Sequence, residues 1–355
     1  MTDNSGKILK SISPNKIIVP IIIGLGVSGY MLYREFEPGS LSFFEFTMQS
    51  VFWLLISSLL MAFRDFWYMV RIRFLTGDKL SWRQAFNIIM LWEFSSAITP
   101  SAIGGTSIAI FFLNKEGIRV GRSSAVVMVT SFLDELYFIL VFPLVLLLIG
   151  RTDIFMFGDT IEHIPWFKNQ FFLFALLGYL LKLTYTIILS YGLFFNPRGL
   201  KFLLLWVFKL PIIRKWRPQA NESGSDLIQT SKEFKQWPLS SWLKAFGATA
   251  LSWTSRYWIV NTLIIAFFGI HFLNWDEHIV IFGKQLVMWI MMLVTPTPGG
   301  SGFAEYVFKI FLTGIIPVGT GVAMAFLWRL ISYYPYLIIG AILIPRWIRK
   351  HFFSN

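Results

Sequence analysis

The chain contains no cysteine. That absence excludes disulfides, cysteine-bearing zinc sites, iron–sulfur clusters and thiol catalysis together, and it leaves the redox compartment unread. Charge is nearly as scarce: 14% of the 355 residues are Asp, Glu, Lys or Arg, against about 25% in water-soluble domains. In their place stand 55% apolar and 18% aromatic residues and a mean hydropathy of +0.63. A soluble globular enzyme is excluded, because so few charges leave most of the surface facing lipid. Negative charge is the scarcer sign, with 19 Asp and Glu against 31 Lys and Arg and a net charge of +12. The basic residues gather in alternate loops between long apolar runs. Cytoplasmic retention of Lys and Arg produces that distribution, whereas a nucleic-acid groove does not, so no nucleic-acid partner is expected.

The first apolar run, 17–33, follows Lys7, Lys10 and Lys16 in the manner of a secretory leader. It exits through Tyr30, Met31, Leu32, Tyr33 and Arg34 without a small-residue cleavage site, and is therefore read as a retained span. About 20 apolar residues cross a bilayer core as a helix. By that measure 17–33, 46–70, 125–149, 171–195, 243–268 and 321–344 are full spans. Two further apolar stretches, 85–113 and 285–312, are interrupted by Pro and Gly.

Charge on the flanks separates crossing from re-entry. Arg71, Arg73, Lys79 and Arg83 precede the first broken stretch, and Lys115, Arg119 and Arg122 follow it. Both flanks are basic, so the chain enters from the cytoplasm, turns at 99–106 and leaves on the same side. The second is preceded by Asp276 and Glu277 and followed by the uncharged loop 313–320, which makes it re-entrant from outside. Loops 34–45 and 151–168 then fall outside. The loop 196–241, with Arg198, Lys201, Lys209, Arg214, Lys215, Arg217, Lys232 and Lys235, falls inside with the tail Arg346, Arg349 and Lys350. The expectation is a single all-α polytopic domain over 1–355 in the cytoplasmic (inner) membrane, with six full spans, two re-entrant helical hairpins and both termini cytoplasmic.

The two halves also echo each other. Thr99-Pro100, Gly104-Gly105 and Thr106 match Thr295-Pro296, Pro298, Gly299-Gly300, Ser301 and Gly302. Gly105 precedes Asp134 by 29 residues and Gly300 precedes Arg329 by 29; Arg64 precedes Thr99 by 35 and Arg256 precedes Thr295 by 39. One half begins inside and the other outside, so the repeat is inverted: 17–149 against 171–195 plus 243–344, joined by the linker 196–242. Inverted repeats with interrupted helices point to a transporter whose site lies near the midplane. Neither Gly-Gly turn leads into a Lys-Ser/Thr pair after a strand, so no nucleotide-binding loop is present.

The residues Thr99-Pro100-x-x-x-Gly104-Gly105, Leu113-Asn114-Lys115-Glu116-Gly117-Ile118, Pro298-Gly299-Gly300-Ser301-Gly302-Phe303-Ala304-Glu305 and Leu327-Trp328-Arg329-Leu330-Ile331-Ser332-Tyr333-Tyr334 resemble the flippase-like transmembrane domain of lysylphosphatidylglycerol synthases. The resemblance covers nearly the whole chain. It implies a membrane domain that moves a lipid between leaflets, here without the aminoacyl-transfer domain that would make the lipid.

Candidate chemistry concentrates inside the spans. Arg64, Arg256 and Arg329 are expensive in hydrocarbon, at about 2.5–3.5 kcal/mol each at a helix centre, so each needs a carboxylate or a wet cavity. Their guanidinium forks suit phosphate oxygens; ion pairs with Asp65, Glu93, Asp134, Glu135 or Glu305 are the alternative use. Glu93, Asp134, Glu135 and Glu305 are candidates for ion or proton coupling, for binding a headgroup amine, or for neutralising those arginines. The glycines at 104, 105, 299, 300 and 302, with Thr99, Pro100, Thr106, Thr295, Pro296, Pro298 and Ser301, either present backbone N–H groups to an anion or simply make tight turns. Arg329 and Asp134 sit at equivalent repeat positions and are expected to face one cavity and to pair across it. His163, His271, His278 and His351 fall in loops or the tail, so no metal site is expected, and no cofactor. Within the linker, residues 199–209 form an interfacial helix, 221–226 a polar break and 226–237 a short helix beside Trp206, Trp216 and Trp237, suited to anionic headgroups. The function read from the sequence is flippase-like transport of a membrane phospholipid or lipid-linked phosphate. A membrane enzyme or subunit acting on lipid-linked precursors and a small-solute transporter are the alternatives.

Overall fold

The computed structural model describes residues 43–99, 102–150, 170–207, 217–292 and 297–353, with a few isolated positions elsewhere. The expected span 17–33 and the loop 151–168 lie outside the described residues apart from such isolated positions. Among the described residues the protein is all-helical, without a strand. Its helices are α1 (Met48–Leu75), α2 (Trp82–Ile98), α3 (Ala102–Lys115), α4 (Val120–Ile149), α5 (Gln170–Ser190), α6 (Pro197–Val207), α7 (Arg217–Lys235), α8 (Leu239–Phe268), α9 (Trp275–Met292), α10 (Phe303–Leu312), α11 (Gly321–Ser332) and α12 (Tyr334–Ile348). Among the described residues four helical stretches are long and apolar enough to cross a membrane: Met48–Leu75, Val120–Ile149, Gln170–Phe195 and Gly321–His351. Helix α8 is equally long, at 30 residues; Arg256, Asn261 and its serines and threonines dilute its hydropathy.

The starts of these helices follow from local chemistry. Thr47 accepts a hydrogen bond from the Ser50 N–H at the head of α1, and Ser81 and Gln84 cap α2 reciprocally. Asn274 and Glu277 do the same at α9: the Glu277 N–H donates to Asn274 Oδ1 at 2.9 Å and the Asn274 N–H to Glu277 Oε2 at 2.8 Å. With Asp276 and Glu277 at the positive end of the helix dipole, the second broken stretch begins ten residues earlier than the apolar run 285–312 suggests. Two further boundaries differ from the sequence reading. The polar break 221–226 is helical, inside the continuous α7. The run 321–344 is bent at Tyr333, because Pro335 cannot donate to the Ile331 carbonyl and its ring crowds it, so α11 and α12 meet at an angle.

The centre of the bundle is the antiparallel pair α1 and α8. Ser57 bonds Thr262 at 2.8 Å, Ser252 Oγ donates to the Arg64 carbonyl at 3.0 Å, and Arg71 Nη1 donates to Thr249 Oγ1 at 3.0 Å. Small hydroxylated residues at the seam let the backbones approach and add interhelical hydrogen bonds, the combination that holds helices together where lipid removes the hydrophobic drive. Helices α2 and α3 fold back on each other as a hairpin. Gln84 Nε2, near the start of α2, donates to Glu116 Oε2 at the end of α3 at 2.9 Å, so both arms begin and end at one level. At 1.5 Å per residue, their 17 and 14 residues reach only about 26 and 21 Å, short of the roughly 30 Å hydrocarbon core. Helices α9 and α10 also pack against each other.

Several helix contacts recur between the two halves of the chain. Helix α1 packs on α2 as α8 does on α9; α3 packs on α4 as α10 does on α11. The first hairpin's α2 leans on α12, and the second hairpin's α9 leans on α4. Contacts of closest approach use glycine: a Cβ at Gly340 of α12 would lie 2.1 Å from the Phe94 ring of α2, and one at Gly178 of α5 would lie 2.1 Å from Ile290 of α9. Helix α7 docks on α4 through the Arg122–Glu233 ion pair at 2.8 Å.

Gly340→Leu should lower the thermal midpoint of the detergent-solubilised protein by the equivalent of about 1–3 kcal/mol, the usual cost of overpacking. Gly247→Ala, where a Cβ meets nothing within 4 Å, should leave it unchanged.

Candidate functional site

A cavity of about 270 Å³ lies where the two helix interruptions meet beside α1 and α8. The interruptions touch through Tyr333: its hydroxyl donates to the Ala97 carbonyl at the end of α2 at 3.1 Å, and Ser301 Oγ donates to it at 3.4 Å. Gly299, with φ +57°, fits the gap between them; a Cβ there would lie 2.3 Å from the Tyr333 ring and 2.8 Å from the Ala97 carbonyl oxygen. Left-handed backbone and absent side chain are both required.

The cavity wall carries four arginines: Arg64, Arg71, Arg256 and Arg329. Arg64 is 2% exposed. Its Nη1 donates to Asp65 Oδ1 at 2.8 Å and to the Tyr336 hydroxyl at 2.6 Å, and its Nη2 donates to Glu93 Oε1 at 2.6 Å. The Tyr336 hydroxyl passes its own proton toward Asp65, at 2.8 Å from Oδ1. Arg71 is ion-paired to Asp134, whose Oδ1 also accepts from Trp253 Nε1 at 2.8 Å. The Tyr68 ring separates these two cations, with guanidinium carbons 4.5 and 4.6 Å from its centroid. Arg329 Nε donates to Glu305 Oε1 at 3.0 Å, and its Nη2 to the Gly299 carbonyl at 2.7 Å. Glu305 in turn accepts from the Gly302 N–H at 2.7 Å, capping α10. Arg256 differs from the other three. It makes no hydrogen bond or ion pair among the described residues and lies against two indoles, 5.7 Å from Trp253 and 5.0 Å from Trp289.

Of the residues singled out from sequence, Arg64, Arg256, Arg329, Glu93, Asp134, Thr99, Gly299 and Gly300 all line this cavity. Ser301, Gly302 and Glu305 stand just behind the wall. Gly105 packs α3 onto α2, where a Cβ would meet Ser96 Oγ at 2.0 Å. Pro100, Thr295 and Pro296 lie outside the described residues; Gly104 and Thr106 fall near the start of α3, and Pro298 opens the 3₁₀ turn. Three expectations are corrected. Glu135 points away from the cavity to Lys182 of α5, with Nζ at 2.7 and 2.9 Å from its two oxygens, because adjacent helical residues diverge by about 100°. Asp134 and Arg329 face one cavity but do not pair, since Arg71 and Glu305 are nearer partners. His278 sits not in a loop but on α9, buried, with Nδ1 2.8 Å from Asn261 Oδ1. Among the described residues no group of three His, Asp or Glu is placed to hold a metal.

Arg71 was hidden in what reads as a cytoplasmic flank. A helical period exposes it: Arg64, Tyr68 and Arg71 follow i, i+4, i+7, and Arg329, Tyr333 and Tyr336 repeat that spacing. Trp253 and Arg256 form an i, i+3 pair on α8.

Such an assembly of long apolar helices around a charged internal cavity defines a multi-pass helical membrane protein. The chain belongs to the family described as the lysylphosphatidylglycerol synthase TM region, whose model matches residues 17–340. It is 26% identical over 304 residues to a UPF0104 membrane protein of Archaeoglobus fulgidus, covering 82% of this chain and 85% of that protein. No solved structure matches it.

Arg71→Ala should cost about 3 kcal/mol, the low end for breaking a buried pair, because the partly buried Asp134 carboxylate loses its cation and keeps only the Trp253 N–H. The double change Arg71→Leu with Asp134→Leu should recover most of the loss in thermal midpoint; a double variant no better than the single would show that the pair itself does not hold α1 to α4.

Proposed function

We propose that the protein is a lipid flippase-like transporter that moves a phosphate-bearing lipid, a phospholipid or lipid-linked phosphate, between leaflets of the cytoplasmic membrane. The observation that carries this reading is the cavity itself: four arginines of a charge-poor chain converge where two interrupted helices meet. A guanidinium-lined cavity inside an apolar bundle stabilises a phosphate that bare hydrocarbon would reject. Its volume suits a headgroup, leaving acyl chains in the surrounding lipid. The family description, which names the membrane region of a phospholipid-modifying synthase, accords with a phospholipid.

In this reading the fold comprises six spans and two re-entrant hairpins, α2–α3 and α9–α10, arranged as an inverted repeat of 17–149 against 171–195 plus 243–344. The linker 196–242 and both termini are cytoplasmic. Support comes from the helix contacts that recur between the halves, from the antiparallel run of α1 and α8, and from hairpin arms too short to cross. The N-terminal ends of α3 and α10 follow the two turns and carry partial positive charge there, and this reading assigns Glu93 and Asp134 to respond to substrate or protons.

Single cysteines at Arg83 and Asn114 should be labelled by an impermeant maleimide only from the cytoplasmic side, and those at Asn274 and Gly314 only from outside. Labelling from opposite sides within either pair would turn that hairpin into a crossing. In proteoliposomes the purified protein should speed exchange of fluorescent anionic phospholipid between leaflets. Gly299→Leu should reduce that rate at least tenfold by forcing the Tyr333 contact apart; a variant as fast as the parent would remove the turn from the pathway.

A further inference from the structure

Three of the four cavity arginines have their charge answered within the chain. Arg64 is shared by Asp65 and Glu93, Arg71 is met by Asp134, and Arg329 by Glu305. Arg256 alone among them has aromatic faces where the others have carboxylates.

The repeat shows what has been withdrawn from it. Arg64 on α1 and Arg256 on α8 are the counterpart arginines of the two antiparallel halves. The residue after Arg64 is Asp65, and the residue after Arg256 is Tyr257. Glu93 stands six residues before Thr99, and Trp289 stands six residues before Thr295. Both acids that neutralise the first arginine are thus replaced by aromatics around the second. An unmatched guanidinium is costly inside a membrane protein. Arg256 feels the Glu93 charge that Arg64 already holds, and the described residues give it no carboxylate of its own, so its place here calls for a further partner.

Two hydroxyls on the same wall are also unanswered. Thr130 is 3% exposed and Thr297 half-buried, and the Oγ1 of each is buried without a hydrogen-bond partner among the described residues. Elsewhere in these helices buried Ser and Thr bond the carbonyl four residues back, as Ser95, Thr186 and Thr249 do. Thr130, on α4, forgoes that bond.

We infer that Arg256, with the Thr130 and Thr297 hydroxyls, forms a seat for a single phosphate-like oxyanion, while Arg64, Arg71 and Arg329, each held by a carboxylate, hold the bundle together and add to the cavity's positive potential without bonding the oxyanion. The Arg256 guanidinium keeps its N–H groups free for an oxyanion, since the Trp253 and Trp289 faces lie against it without consuming them, and the two unpartnered hydroxyls belong to residues of the same cavity wall. The seat deepens the transport reading by naming the group that recognises the headgroup, and its register argument rests on the inverted repeat proposed there. The oxyanion belongs either to a lipid headgroup or to free phosphate.

The test is calorimetric titration of the purified full chain in detergent with two probes, inorganic phosphate and dihexanoyl phosphatidic acid, with the thermal midpoint of each variant measured alongside. Parent protein should bind at least one probe. Phosphate binding as tightly as the lipid marks a free-anion seat, and lipid binding alone marks a headgroup seat; both support the inference. Arg256→Gln should weaken binding at least tenfold while holding or raising the thermal midpoint, and Arg256→Lys should retain part of the affinity. Trp289→Glu, which restores the first half's carboxylate, should abolish binding by answering the charge internally. Arg329→Gln should lower the midpoint instead. Neither probe binding the parent, or Arg256→Gln binding as the parent does, overturns the seat. Transport is scored separately in proteoliposomes: binding through Arg256 without lipid movement refutes the transporter and keeps the seat, whereas lipid movement unaffected by Arg256→Gln refutes the seat and keeps the transporter.

Discussion

Charge placed in a medium that cannot solvate it governs this molecule. A guanidinium at the centre of a membrane helix costs about 2.5–3.5 kcal/mol on insertion scales, and the cavity wall holds four of them. Each compensated pair joins separate parts of the chain. Arg64 ties α1 to Glu93 of α2 and to Tyr336 of α12. Arg71 ties α1 to Asp134 of α4, and Arg329 ties α11 to Glu305 of α10. Hydrophobic burial gives little direction to helix association when the surrounding lipid is equally apolar. Ion pairs and interhelical hydroxyl bonds supply the direction instead, and the bundle closes around its charges.

The turns depend on the same network. Arg329 grips the Gly299 carbonyl while its other edge holds Glu305, and Glu305 caps the helix that follows Gly302. One side chain therefore fixes the 3₁₀ turn and, through Glu305, the start of the helix that follows it. Tyr333 then connects this turn to Ala97 of the first hairpin. Interrupted backbone at membrane depth needs its polar groups satisfied by protein, and here a charged clamp and a phenol do that work. The Pro335 kink matters for this reason: it separates α11, which carries the clamp, from α12, which packs on α2 through Gly340.

Much of this was legible in the sequence. Long apolar runs announced the lipid environment, the Thr-Pro and Gly-Gly echoes marked both interruptions, and the need of any charge inside a span for a partner singled out Arg64, Glu93, Asp134, Arg256 and Arg329. What escaped did so for physical reasons. Arg71 stands at the end of an apolar run where charge normally marks water, and only its seven-residue spacing from Arg64 betrays an inward face. Glu135 seemed equivalent to Asp134, yet one step along a helix turns a side chain through about 100° and delivers it to Lys182. The 221–226 stretch is polar enough for a loop, but packing against α4 and the Arg122–Glu233 pair keep it helical. Which carboxylate answers which arginine depends on helix packing between residues as much as 63 apart, as with Arg71 and Asp134, and no local pattern encodes that.

A lipid crossing unaided must carry its phosphate through hydrocarbon, where it meets the same kind of penalty as an arginine. If the proposed function holds, the protein lowers that barrier by standing a second unmatched charge of opposite sign at the place the phosphate has to pass. Neither charge is comfortable alone, and each becomes the other's solvent. Full neutralisation of the site within the chain would make a more stable protein and a worse transporter, because a fully paired cavity offers a phosphate nothing it lacks in lipid. Over-strong binding would be equally unhelpful, since headgroups must leave as well as enter. An arginine lying against two indoles, with no carboxylate of its own among the described residues, lies between those limits: attractive enough to admit an oxyanion, and sparse enough in donors to release it.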